Sequence, residues 1–82
     1  MYYLYAIYNA KHSKIYIGQT VDLEERLRIH NERLIKGFTS RFDGEWLLIY
    51  SEESVDRSSA LLREHQLKSY RGREFIRTYI RG

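Results

Sequence analysis

The chain has no cysteine and no proline. Without thiols, disulfide frameworks, thiolate zinc sites and cysteine nucleophiles are excluded. Without proline, breaks between elements must come from Gly, Asn, Ser and changes of hydrophobic period. No apolar run approaches the roughly 18 residues of a spanning helix, and no charged-then-apolar leader opens the chain. A cytoplasmic protein with no membrane partner is therefore expected. Repeats, low-complexity tracts and Pro/Gly/Ser linkers are also missing. At 82 residues the chain has room for a single domain, 1–82. A domain of this size buries only roughly 60–65% of its unfolded surface, so its core is thin. What is present is 43% hydrophobic and 15% aromatic, too apolar for intrinsic disorder.

Charge gives a second indication. Fourteen Lys and Arg against eleven Asp and Glu leave a net +3. Ten of the cations are Arg, whose planar fork meets a phosphate with two hydrogen bonds where Lys offers a point charge. Arg71, Arg73, Arg77 and Arg81 crowd the last twelve residues beside a single acid, Glu74. Both a polyanion partner and a solvated basic terminal helix fit that pattern.

Periodicity sets the element order. Residues 2–8 form an apolar aromatic run of strand composition, residues 9–13 a polar turn, and residues 14–18 a second strand. So short a link predicts an antiparallel hairpin. From Asp22 to about Lys36 the spacing of Leu23, Leu27, His30 and Leu34 predicts a helix. Asp22 is its N-cap, Glu25 its capping-box partner and Gly37 its stop. A loop over 37–44 carries Arg41, and residues 45–51 form a third strand. Asp56 caps a second helix running to about Tyr70 and closed by Gly72, and a short third helix carries Phe75, Tyr79 and Ile80. The fold class is α/β: a small three-stranded antiparallel sheet flanked by three helices in the order β-β-α-β-α-α. The first strand is apolar on both faces, with Tyr3, Tyr5 and Ile7 on one and Leu4 and Ala6 on the other, so the sheet needs cover on both.

Three constellations can carry chemistry. A hairpin turn centred near Ala10–Lys11 sets Tyr5 opposite Tyr16 and brings two phenols to one spot. They are either acid, base and phosphate-binding groups or an aromatic pair that only stabilises the sheet. Glu64 lies on the apolar stripe of Ala60, Leu61 and Leu67. A carboxylate facing a core needs a partner or a metal, whereas one at the stripe's edge reaches water or pairs with Arg63 or Lys68. Arg26 and His30, four apart, share a helix face that suits an anion, or they are a solvated Arg and a half-buried His. Other chemistries are thin. The three His lack zinc spacing, and there is no phosphate-binding Gly loop, nucleophile elbow or RNA-recognition signature.

In order along the chain, these residues resemble the GIY-YIG nuclease domain, and in particular small stand-alone members similar to the amino-terminal domain of the excinuclease C subunit. The likeness covers about residues 2–80. Tyr3-Leu4-Tyr5 stands where Gly-Ile-Tyr is expected, and Tyr16-Ile17-Gly18 is intact. Arg26, His30 and Glu64 fall at the family's arginine, at the His or Tyr one turn later, and at the metal-binding glutamate. The resemblance implies a Mg²⁺- or Mn²⁺-dependent endonuclease acting on DNA in repair or recombination. Glu64 would hold the metal, Arg26 would grip a phosphate oxygen, Tyr5 and Tyr16 would position water, and His30 would assist a tyrosine. Gly18 would let the backbone approach the phosphate. Gly18, Gln19, Arg41, Arg71 and Arg73 are the further candidates for nucleic-acid contact.

Three departures stand out: Tyr3 for the first Gly, Gln19 where some members carry Lys, and no Asn after Asn31. The first alters packing more than chemistry; the last two favour, as the second reading, a nucleic-acid-binding module of the same fold that cuts weakly or not at all. Substrate choice is expected from Arg-rich edges or from a partner protein, with the chain a monomer or weak dimer.

Overall fold

A computed structural model describes residues 1–80, so Arg81 of the basic terminus lies outside the described residues. The elements are β1 (Tyr2–Asn9), β2 (Lys14–Thr20), α1 (Leu23–Asn31), a 3-10 turn (Thr39–Arg41), β3 (Trp46–Ser54), α2 (Arg57–Lys68) and α3 (Tyr70–Arg77). The expected α/β class and β-β-α-β-α-α order are observed. The three strands form one antiparallel sheet in the order β2-β1-β3. Among the described residues no helix is long and apolar enough to cross a membrane.

The central position of β1 explains its composition. It pairs on both sides and is covered on both faces. Leu4 and Ala6 pack with Ile17 against Ala60, Leu67 and Ile76 of α2 and α3. Tyr5 and Ile7 pack with Trp46 against Leu23 and Leu27 of α1 and against Phe42. Each face thus has its own small core. Truncating a fully buried side chain as large as Trp46 would cost about 3–5 kcal/mol.

The hairpin register differs from expectation by two residues. Tyr5 pairs with Gly18, and Tyr16 pairs with Ile7. The turn is a four-residue loop, Ala10 to Ser13, because Ser13 takes a left-handed φ of 54° and the His12 N–H donates to Asn9 Oδ1 at 3.1 Å. Tyr5 and Tyr16 still share a face, but as diagonal neighbours.

The first helix is shorter than its apolar period. It ends at Asn31, and Leu34 is 55% exposed in the loop beyond. The stop is a Schellman motif: Leu34 N–H donates to the Ile29 carbonyl at 3.1 Å and Arg33 N–H to that of His30 at 3.3 Å. Arg33, not Gly37, takes the left-handed position, with φ 54°. Its guanidinium repays the strain by donating to the carbonyls of Asn31, Phe42 and Gly44.

At the other boundary α2 ends at Lys68, and Ser69 serves as its C-cap and as the N-cap of α3. Gly72 lies inside α3 and does not close α2. A side chain there would overlap the Gln66 carbonyl and the Leu67 backbone, so this glycine lets the two helices meet. Phe75 lies on α3, whereas Tyr79 and Ile80 follow it, and the buried anchor of that helix is Ile76. Asp22 and Asp56 cap α1 and α2 as expected, accepting from the Glu25 and Ser59 N–H groups. The Glu25 carboxylate, however, turns to Arg28 instead of closing a capping box.

Candidate active site

The side chains on the α1 face of the sheet meet above β1 and β2. Strand β1 brings in Tyr5, and β2 brings in Tyr16 two pairs from the Tyr5–Gly18 contact. Helix α1 presents Arg26 and His30 one turn apart. Tyr5 is only 3% exposed, and its hydroxyl lies 2.8 Å from His30 Nε2. On the other side of the ring, His30 Nδ1 lies 2.7 Å from Thr39 Oγ1, so the 3-10 turn braces the imidazole. A neutral imidazole has one N–H and one lone pair, so the two hydroxyls must play opposite hydrogen-bonding roles.

The Tyr16 ring stands 6.3 Å from that of Tyr5 and 5.0 Å from that of His30, while Phe38 stacks on its outer side at 6.2 Å. Tyr16, Arg26, His30 and Phe38 line a small cavity of about 90 Å³. Arg26 forms no ion pair among the described residues. Its neighbour Arg28 is committed to Glu25 and Glu32.

Charge states follow from this packing. Burial, assisted by the charge of Arg26, pushes His30 below the usual histidine range, which keeps the ring neutral. Burial pushes the Tyr5 phenol far above its usual range, Tyr16 adds to the shift, Arg26 opposes it, and Glu64 raises it further. Tyr5 therefore holds its proton at neutral pH.

Glu64 lies on the opposite face, because α2 covers the Leu4 side of the sheet. It reaches the free edge of β2, where Gln19 Nε2 donates to Oε1 at 3.1 Å and Lys68 Nζ to Oε2 at 2.7 Å. Its side chain is 20% exposed. Four of the five candidates meet on the α1 face, and Glu64 stands round the strand edge, where its charge is felt at Tyr5.

Gly18 lies between the two groups. A Cβ there would sit 2.8 Å from Tyr5 Oη and 3.1 Å from Tyr16 Cε2, so the phenols themselves occupy the space a side chain would need. Gly18 is buried, and its immediate neighbours are these rings.

Of the remaining candidates, Gln19 touches Glu64, and Arg73 lines a groove with Tyr16 and Lys68. Arg71 lines a separate cavity with Arg63 and Phe75, and Arg41 is exposed on the 3-10 turn; neither joins the five. Thr39 and Phe38 were not anticipated. Both lie in an aperiodic loop, where no spacing signals a partner. Lys68 pairs with Glu64 one turn away, as its spacing allows, while Arg63 pairs with Glu52 instead.

Among the described residues no group of three or more His, Cys, Asp or Glu comes together. A divalent ion would have one protein carboxylate, Glu64, and would keep most of its waters, as hard cations do at sites completed by phosphate. The chemistry of the donor fits such an ion. The Glu64 side chain is partly exposed, and the Lys68 ammonium that holds Oε2 at 2.7 Å would have to give way to the ion.

The fold and these side chains define a small α/β domain with a phenol–imidazole cluster on one face of its sheet. More narrowly, the GIY-YIG catalytic domain model matches residues 1–79, and the chain belongs to the GIY-YIG family. It is also 38% identical over 69 residues to a UPF0213 protein of Haloquadratum walsbyi, a match covering 84% of this chain and 75% of that protein. No solved structure gives a significant match.

Proposed function

We propose that this protein is an endonuclease that hydrolyses phosphodiester bonds in DNA with the help of Mg²⁺ or Mn²⁺. The observation that supports this most directly is the Tyr5–His30–Thr39 chain of hydrogen bonds beside the uncommitted Arg26. Hydrolysis needs an oriented water, a place for its proton and a counter-charge for the phosphorane. Tyr16, which lines the cavity with Arg26, orients the water. Arg26 grips a non-bridging phosphate oxygen with its planar fork. His30, neutral and held through Nδ1, offers Nε2 as acceptor to the Tyr5 hydroxyl, so that phenol can take up a proton as it passes its own to the imidazole. Glu64 would hold the metal, which when bound supplies Lewis-acid stabilisation of the leaving oxygen. We assign the activity to DNA repair or recombination in the cytoplasm, with DNA as the partner.

Two observations favour a second reading, a binding module with little or no cleavage: the Tyr5 proton is firmly held, and Glu64 is engaged by Lys68. The readings part in one experiment. Flap, nicked, single-stranded and duplex DNA are incubated with wild type and Glu64→Ala, each with Mg²⁺ and with Mn²⁺. The nuclease reading expects cleavage by wild type, lost in Glu64→Ala, with DNA affinity nearly unchanged. Equal nicking by both proteins would remove Glu64 from the mechanism, and salt-sensitive binding without any cleavage would establish the binding module.

A further inference from the structure

A cavity of about 600 Å³ lies outside the phenol cluster. Tyr8, Lys14, Phe38, Arg73 and Arg77 line it. A second cavity of about 300 Å³ shares Ile15, Phe38 and Arg73 with it and adds Tyr16, Ile17 and Lys68. Tyr16 and Ile17 point to opposite faces of β2, so this second cavity wraps the free edge of that strand. Together the two form a continuous groove along the β2 edge, from Lys14 and Arg77 at one end to Tyr16 and Lys68 at the other. Lys68 in turn bonds Glu64.

The lining carries four cations and no carboxylate. Arg73 and Arg77 lie one turn apart on α3, about 6 Å along its axis. Arg73 Nε is spent on the Lys68 carbonyl at 3.0 Å, which fixes the guanidinium plane and leaves its other nitrogens available. Arg77 shares an exposed contact with Glu74 at 3.0 Å, the kind of pair that yields readily to a phosphate. Phe38 is 40% exposed and stacks on Tyr16 with only 21° between the rings. An aromatic platform set inside a groove meets only bases whose faces are free, and duplex bases bury theirs against each other.

We infer that this groove is a track for single-stranded nucleic acid, with Lys14, Arg73 and Arg77 on the phosphates and a base on Phe38, leading the strand to Tyr16. The track deepens the nuclease reading by naming its substrate as an unpaired strand or flap, and it rests on that reading only for the direction in which the strand is delivered.

Fluorescence anisotropy with a labelled oligothymidine strand and a duplex of equal length tests it, using the full chain without metal. Wild type should prefer the single strand. Arg73→Gln with Arg77→Ala should lower the salt slope of binding by about 1.4, about 0.7 per lost phosphate contact, and Arg77→Ala alone by about half of that. Phe38→Leu keeps apolar volume without a π face and should weaken single-strand binding about five- to a hundredfold. Arg57→Ala, which removes an exposed cation outside the groove, should change nothing. Wild-type affinity in the Arg73/Arg77 variant, or equal affinity for duplex, would overturn the track even where cleavage persists. The expected binding without cleavage would leave the track standing and remove the nuclease reading.

Discussion

The hydroxyl of Tyr5 and Nε2 of His30 lie 2.8 Å apart, joining residues 25 positions apart in sequence in a buried phenol–imidazole pair. Tyr5→Phe removes that hydroxyl and leaves a buried imidazole nitrogen without its partner. Urea denaturation should show a loss of about 1–3 kcal/mol. Cleavage of a labelled substrate should fall by about 10²–10⁴ if the pair moves a proton. An unchanged rate in a folded Tyr5→Phe protein would take the pair out of the chemistry.

His30 also makes the protein sensitive to acid. Its folded pKa lies below the ordinary histidine value of about 6.5, so between those two values the unfolded chain binds a proton that the native state does not. Stability should therefore fall as pH drops below about 6.5, level off once the folded pKa is passed, and show no such dependence on this group above that range. Denaturation midpoints from pH 7 to 4, with His30→Gln as the reference, should show this slope only in wild type. Cleavage should fail on the same side, because a protonated ring can no longer accept from Tyr5.

Two glycines separate function from folding. Gly18→Ala places a methyl 2.8 Å from Tyr5 Oη and should dislodge the phenol, lowering cleavage more than it lowers the melting temperature. Gly72→Ala strikes the backbone of α2, which cannot rotate away as a side chain can. It should cost about 1–3 kcal/mol or more by thermal melting while the α1-face cluster keeps its geometry.

Asn31 stitches α1 to β3, with its amide donating to the Trp46 carbonyl at 3.0 Å and its oxygen accepting from the Trp46 N–H at 2.8 Å. Asn31→Ala removes both bonds and should cost about 1–3 kcal/mol in urea denaturation. Hydrogen exchange should rise first at Trp46, the start of β3.

Element order, the alternation that buries both faces of β1 and the two Asp caps were all legible before any coordinates, because they depend on neighbours two to four positions away. Leu23 and Leu27 do face the core as their spacing requires. Leu34 keeps the same spacing but lies outside the helix, because Arg33 finds three carbonyls that belong to its own turn and to a distant loop. Apolar period alone does not register such a capping group. The hairpin register is not legible for a similar reason: the Asn9 side chain and the left-handed Ser13 shape the loop in a way that composition does not specify.

The residue types of the candidate site, and their membership of one family, could be read from the string of amino acids itself, since motif order survives without geometry. Which of them touch was decided by folding. Tyr5 meets His30 because β1 is central and α1 crosses above it, and Thr39 reaches the ring from a loop with no period to announce it. Glu64 reaches the β2 edge from the other side because α2 packs on the Leu4 face of the sheet, and the strand's alternation sends Gln19 to that face and Gly18 to the opposite one.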